Sequence, residues 1–213
     1  MEVAVSVLNQ IAYLQGRRDE APNQELARRL VESNDRAGIA EIAENLWNAD
    51  PNIQSDCLKV LYEAGYLQPE LTAPYTGDFL KLLHSKNNRL VWGAMIALAI
   101  VAQVRADELY AHRQEVMHAM EIGSVITVDN GVKVIARVAA QKAEYNHQLF
   151  PFLLAHLESC RSKDVPQHAE SSLVAVNPGN VAEFNALLEK RLPSLSGSQA
   201  ARVRKVIQQA SKV

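Results

Sequence analysis

Six histidines, two cysteines, several paired carboxylates and two tryptophans are the residues of this 213-residue chain that could do chemistry. A zinc site needs histidine and cysteine at ligand spacing, typically three or four residues apart on one helix. His84, His112, His118, His147, His156 and His168 never stand four apart from one another, and none is read as placed beside a cysteine at that spacing. Each is therefore expected to be exposed or to cap a helix, with no metal. Paired carboxylates could share acid and base roles. Glu41 with Glu44 and Glu20 with Glu25 fall opposite the apolar stripes of their segments, where a charge is ordinarily solvated. The serine-hydrolase elbow, the phosphate loop, the dinucleotide glycine motif and the His-Glu-x-x-His zinc motif are all missing from the sequence, so no catalytic residue and no cofactor is expected. Trp47 near Asp50 and Trp92 near Arg89 could stack on a nucleobase. Their positions, eight after Ile39 and inside an apolar run, read as core.

The elements that would carry these residues are helices. Hydrophobic residues make up 48% and aromatic residues 6%, without the alternation of a strand protein. Asp35 should cap a helix whose buried face is Ile39, Ile42, Ala43, Leu46 and Trp47, spaced for a 3.6-residue period. The run Leu90–Ala102 is apolar nearly all round and reads as a central buried helix, too short to cross a bilayer. Further helices are expected over Val3–Leu14, from Asn23 to about Glu32, around Tyr75–His84, over Glu108–Ile122 and over Asn146–Cys160. Asn180 with Glu183 and Ser196 with Gln199 are spaced as capping boxes for two more.

Short polar residues recur at the starts of similar segments: Asp50, Asn87, Asp129, Asp164 and Ser198, at intervals of 37, 42, 35 and 34 residues. Each can accept a hydrogen bond from the free N–H groups of a first turn, and Pro51 sits where its missing N–H costs nothing. Small residues such as Cys57, Gly93, Ala94 and Ala136 follow six or seven places on, where crossing helices approach closely. A fixed period of this length marks a helical array. The expected architecture is an all-α, right-handed superhelix of about five to six helix pairs, with residues 1–213 as a single domain.

This pattern resembles the HEAT and HEAT-like (armadillo-type) repeat family, including its short bacterial members, over roughly residues 20–211. Asn87 and Ser198 depart from the usual Asp, and only Lys59, Arg137 and Arg204 match the later basic position. The resemblance implies a concave face lined by the second helix of each pair. It points to Gln54, Lys59, Arg89, Lys133, Arg137 and His168 as contact residues for a protein partner, in a non-catalytic scaffold or adaptor. Two other activities found among HEAT-like proteins are implied alternatives: a DNA glycosylase acting on alkylated bases, and a lyase-type chaperone for a prosthetic group.

Charge weighs against the glycosylase. The net charge is −2, whereas affinity for nucleic acid comes from neutralising phosphates with a basic surface. Residues 190–213 carry six cations and no acid, so +6 there leaves −8 on residues 1–189. A basic end of that kind can touch phosphate or an acidic partner, and it can equally be a solvated final helix that complements its own C-terminal dipole, the reading preferred here. Two cysteines, Cys57 and Cys160, are too few for a disulfide framework, and the Met-Glu-Val-Ala start lacks a basic secretory region. A cytoplasmic protein without a membrane segment is expected.

Overall fold

The computed structural model describes residues 6–213. Helices α1 (Ala21–Glu32), α2 (Arg36–Glu44) and α3 (Pro51–Leu67) come first, and short α4 (Pro69–Thr72) leads to α5 (Thr76–Leu82) and α6 (Asn88–Val101). Helices α7 (Ala106–Ala111) and α8 (Arg113–Ile122) precede α9 (Val125–Ala139). The chain ends with α10 (Ala143–Ser159), α11 (Val165–Ser172), α12 (Val181–Arg191) and α13 (Gly197–Ala210), and no strand occurs among the described residues.

The helices form two layers. An inner row runs α1, α3, α6, α9, α11, α13, each member packed on the next, while α2, α5, α8, α10 and α12 back it. Neighbours in space follow the order of the sequence, the arrangement that defines a solenoid. Five pairs, preceded by α1, make up the array.

Caps and apolar stripes explain most boundaries. The Asp35 carboxylate accepts from Gly38 N at 2.8 Å, Asp50 from Asn52 N at 2.8 Å and Asn87 from Arg89 N at 3.0 Å. Ser196 and Gln199 close the expected capping box. Leu90, Ala94, Met95, Leu98 and Val101 are buried together in α6, confirming it as the central helix. A Cβ on Gly93 would stand 2.7 Å from Leu58 Cδ2, so the missing side chain lets α3 and α6 approach closely.

Several expectations are corrected. The segment expected as a helix over Val3–Leu14 contains a 3-10 turn, Leu8–Gln10, within its described part; residues 1–5 lie outside the described residues. Glu41 is not a free surface acid, because it accepts from Ser6 Oγ and from Val7 N at 3.0 Å, tying that turn to α2. Trp47 is 51% exposed. It falls in a 3-10 turn, Asn45–Trp47, whose tighter winding turns it off the stripe that buries Leu46. The expected helix Glu108–Ile122 is two helices broken at His112, whose Nδ1 bonds the Glu115 carboxylate at 2.7 Å.

The repeat starts at Asp129, Asp164 and Ser198 also shift. Gly123 ends α8, and Ser124 caps α9 through Thr127 N at 3.4 Å, which leaves Asp129 inside that helix. Asp164 precedes α11 but takes its bond from Arg161 Nε at 2.6 Å. Ser196, two residues before Ser198, caps α13. Asn180 precedes α12 but spends its side chain on Asn177 N, Asn146 and Ala175 O.

Candidate functional site: an inner-face groove and a histidine cluster

The inner row is covered on its back and along its flanks, so only its open face remains for contact, the concave face of such a superhelix. At the N-terminal end of that face a cavity of about 360 Å³ lies between the turn after Ile11, α3 and α6. Tyr13, Asp56, Lys59, Tyr62, Arg89 and Trp92 line it. Lys59 and Arg89, two of the residues expected to make contacts, therefore share one hollow.

The charges in the hollow are mostly committed. Lys59 Nζ lies 2.7 Å from both Glu20 and Glu63. Burial works against its charge, but the two carboxylates outweigh that and hold its pKa above the ordinary value. Arg17 pairs with Asp19 at 2.8 Å, and Asp56 accepts from Tyr13 N at 2.7 Å. No described carboxylate bridges Arg18 or Arg89, both of which line the hollow, so two guanidiniums there have no acid partner among the described residues, although the charges of the hollow together with Glu63 sum to zero. Trp92 is half-buried beside Arg89.

Farther along, Lys133 and Arg137 lie one turn apart on α9. Lys133 Nζ donates to Asn130 Oδ1 at 3.1 Å, and burial, then the neighbouring Arg137 charge, lowers its pKa. Arg137 donates to the Ala99 carbonyl and so also ties α9 to α6. Gln54 is half-buried on α3, outside the hollow.

His168 is placed differently from the other five. It is 1% exposed, not the exposed or capping residue expected. Its Nε2 lies 2.8 Å from Asp129 Oδ1 on α9, and its Nδ1 lies 3.0 Å from His156 Nε2 on α10. Cys160 joins them, with its sulfur and the two ring nitrogens all within 4.8 Å of one another. The reading that no histidine stands at ligand spacing from a cysteine is thus corrected: His156 and Cys160 are four residues apart at the end of α10. Burial, then the His168 ring, lowers the His156 pKa to about 4, so this imidazole is neutral near pH 7. Burial raises the Cys160 thiol. A cavity of about 310 Å³ opens onto the cluster, bordered by Val125, Asp129, Ser159 and Arg161.

The four-residue step from His156 to Cys160 was the one sequence signal for this cluster. Its third member arrives from another helix, and no local pattern announces that. The buried Cys57 thiol is pushed up to about 12 and belongs to the core.

Three of the six cations at the basic end of the chain are held by neighbours. Arg191 donates to Leu157 O at 2.6 Å, to Glu158 O, and to Cys160 O at 2.8 Å, satisfying the last carbonyls of α10. Lys190 pairs with Glu158 at 2.7 Å, and Arg202 grips Glu170 with two bonds.

No protein-family model matches this sequence, and no curated protein matches it. Solved structures do. A designed armadillo repeat protein superposes with a TM-score of 0.67 at 13% identity, covering 90% of this chain and 92% of its own. A second designed armadillo repeat protein, in complex with the peptide (KR)4, gives 0.66 at 17% identity over 93% and 92%. An engineered protein gives 0.65 at 16% identity over 98% of both chains. Among the described residues no helix is long and apolar enough to cross a membrane. With its helix pairs stacked in sequence order and these neighbours spanning nearly its whole length, the chain has the armadillo/HEAT-like helical-repeat fold.

Proposed function

We propose that this chain is a non-catalytic scaffold that binds an extended peptide segment of a protein partner along the open face of its inner helices, and that residues 1–213 act as one such unit. The observation that carries the reading is the hollow where Arg89 and Trp92 of α6 face Lys59 and Tyr62 of α3. An amphipathic ring beside an unbridged guanidinium offers stacking area and a point charge together, a combination common at binding hot spots. A similar fold holds the basic peptide (KR)4 in one designed protein. Here the guanidiniums of Arg18 and Arg89 have no acid partner among the described residues, so the segment preferred at this end bears a carboxylate. Lys133 and Arg137 on α9 and Gln54 on α3 are further contact residues in this reading. The free thiols Cys57 and Cys160 favour a reducing compartment such as the cytoplasm.

Panning a random peptide library on the purified chain tests this. Selected peptides should be enriched in Asp or Glu next to an apolar residue, and Trp92→Ala or Arg89→Ala should weaken their binding at least about tenfold, the loss of a hot-spot contact. Failure to select any peptide, or equal binding by both variants, removes the reading.

A further inference from the structure

We propose that His156, Cys160 and His168 bind a zinc ion, with Asp129 orienting His168 from behind. This goes beyond the peptide-binding reading and concerns a different part of the array, the junction of α9, α10 and α11.

The donor atoms are already gathered. In a tetrahedral zinc site two nitrogens stand about 3.3 Å apart and nitrogen and sulfur about 3.6 Å, from metal bonds of roughly 2.0 Å and 2.3 Å. The two ring nitrogens are 3.0 Å apart, and all three donors lie within 4.8 Å of one another. The widest separation, at most 4.8 Å, exceeds the nitrogen–sulfur spacing by about 1.2 Å, and the ring nitrogens stand about 0.3 Å too close, changes of the size that side-chain torsions make.

The tautomers favour ligation. A carboxylate can only accept, so Asp129 Oδ1 holds the proton on His168 Nε2 and leaves a lone pair on Nδ1. That lone pair points at His156 Nε2. The single hydrogen between the rings occupies the place a cation would take. Metal-binding histidines ordinarily give their second ring N–H to a carboxylate in this way. On zinc binding the thiol proton of Cys160 leaves to solvent, and His156 moves its proton from Nε2 to Nδ1. Two nitrogens and a thiolate select zinc over magnesium or calcium, which prefer oxygen.

The position of Cys160 is fixed independently. Arg191 bonds the Leu157 and Cys160 carbonyls and so pins the turn that presents the sulfur. Three protein donors leave a fourth position facing the adjoining cavity, open to water or to a donor from a partner.

Competition between the full-length chain and a chromophoric chelator measures zinc uptake, and cobalt(II) substitution reads the ligands. The expected result is one equivalent of zinc and, with cobalt, a thiolate-to-metal charge-transfer band. Cys160→Ser should abolish the band and weaken zinc binding at least about 100-fold; Cys57→Ser should leave both unchanged. Asp129→Asn should weaken zinc binding by about 10–100-fold while the circular dichroism of the chain is retained. Should Cys160→Ser fail to fold, His156→Asn provides the same readout. Absence of saturable zinc uptake by the folded wild type, a cobalt spectrum without the thiolate band, or equal uptake by wild type and Cys160→Ser would each overturn the assignment.

Discussion

Helix α9 packs against α6 on one side and against α11 on the other, and the two junctions are built on different physics. Toward α6 the contact is dry: Leu98, Met95, Val134, Ile135 and Val138 are buried, and the one long-range polar tie is Arg137 to a backbone carbonyl at the rim. Toward α11, whose Val165 and Ala169 are also buried in the core, the contact adds a carboxylate, a buried imidazole and, from α10, a second imidazole in series. Apolar area stabilises the first junction in proportion to what it hides from water. The second must replace the hydration of His168 bond by bond, and it fixes the relative positions of three helices because a hydrogen bond tolerates little displacement. A repeat protein needs only the first kind of junction to stack, so the second marks the place where this array carries something besides stacking.

The largest test of that contrast is Leu98→Asp. A fully buried Leu98 replaced by an unpaired carboxylate should cost more than about 4 kcal/mol, or at least about 8 °C in Tm for a chain of this size. Because stability in such arrays is shared between neighbours, α3 and α9 should lose hydrogen-exchange protection along with α6. A shift of less than a few degrees would contradict the dry junction. His168→Ala should come next, at about 1–3 kcal/mol, since it strands Asp129 and His156 without their partner. In urea denaturation, the cycle of His168→Ala with Asp129→Asn should show coupling of at least about 0.5 kcal/mol. Additivity within about 0.3 kcal/mol would mean that α9 and α11 are held by packing alone.

The dry junction was readable in the sequence and the wired one was not, and the reason is range. Leu90–Ala102 declares burial by composition, and Asp35, Asp50, Asn87 and Ser196 declare helix starts by chemistry confined to three residues. Asp129 looks the same as those caps locally. Only the competing Gly123-Ser124 start, whose Ser124 lies five residues before it, moves it inside α9, where its carboxylate meets a histidine 39 residues away. Trp47 fails for a related reason: its register is set by a 3-10 turn that periodicity at 3.6 residues cannot register. Of the six expected contact residues, Lys59 and Arg89 come together in the hollow, while His168 proves to be part of the wiring. Long-range pairing leaves no local trace, so the cluster was visible only as the His156–Cys160 step.

The smallest expected effect sharpens the contrast from the dry side. Behind α9, the Glu115 carboxylate of α8 bridges His112 at 2.7 Å and His84 at 2.9 Å, and these bonds, His112 first, hold its pKa below the ordinary value. A carboxyl whose pKa is lower in the folded state stabilises the fold above its unfolded pKa of about 4.3, and that contribution fades as pH falls through the folded value. The group is more than a third exposed, so solvent screening keeps the contribution under about 1 kcal/mol. Glu115→Gln should therefore cost less than about 1 kcal/mol at pH 7, and the difference from wild type should shrink as pH falls below about 4.3 and through the lowered folded value. Urea titrations at pH 7 and through the acid range measure it. A pH-independent cost of several kcal/mol would show that polar ties in the layer behind the inner row, here from α8 to the end of α5, carry weight that apolar packing does not.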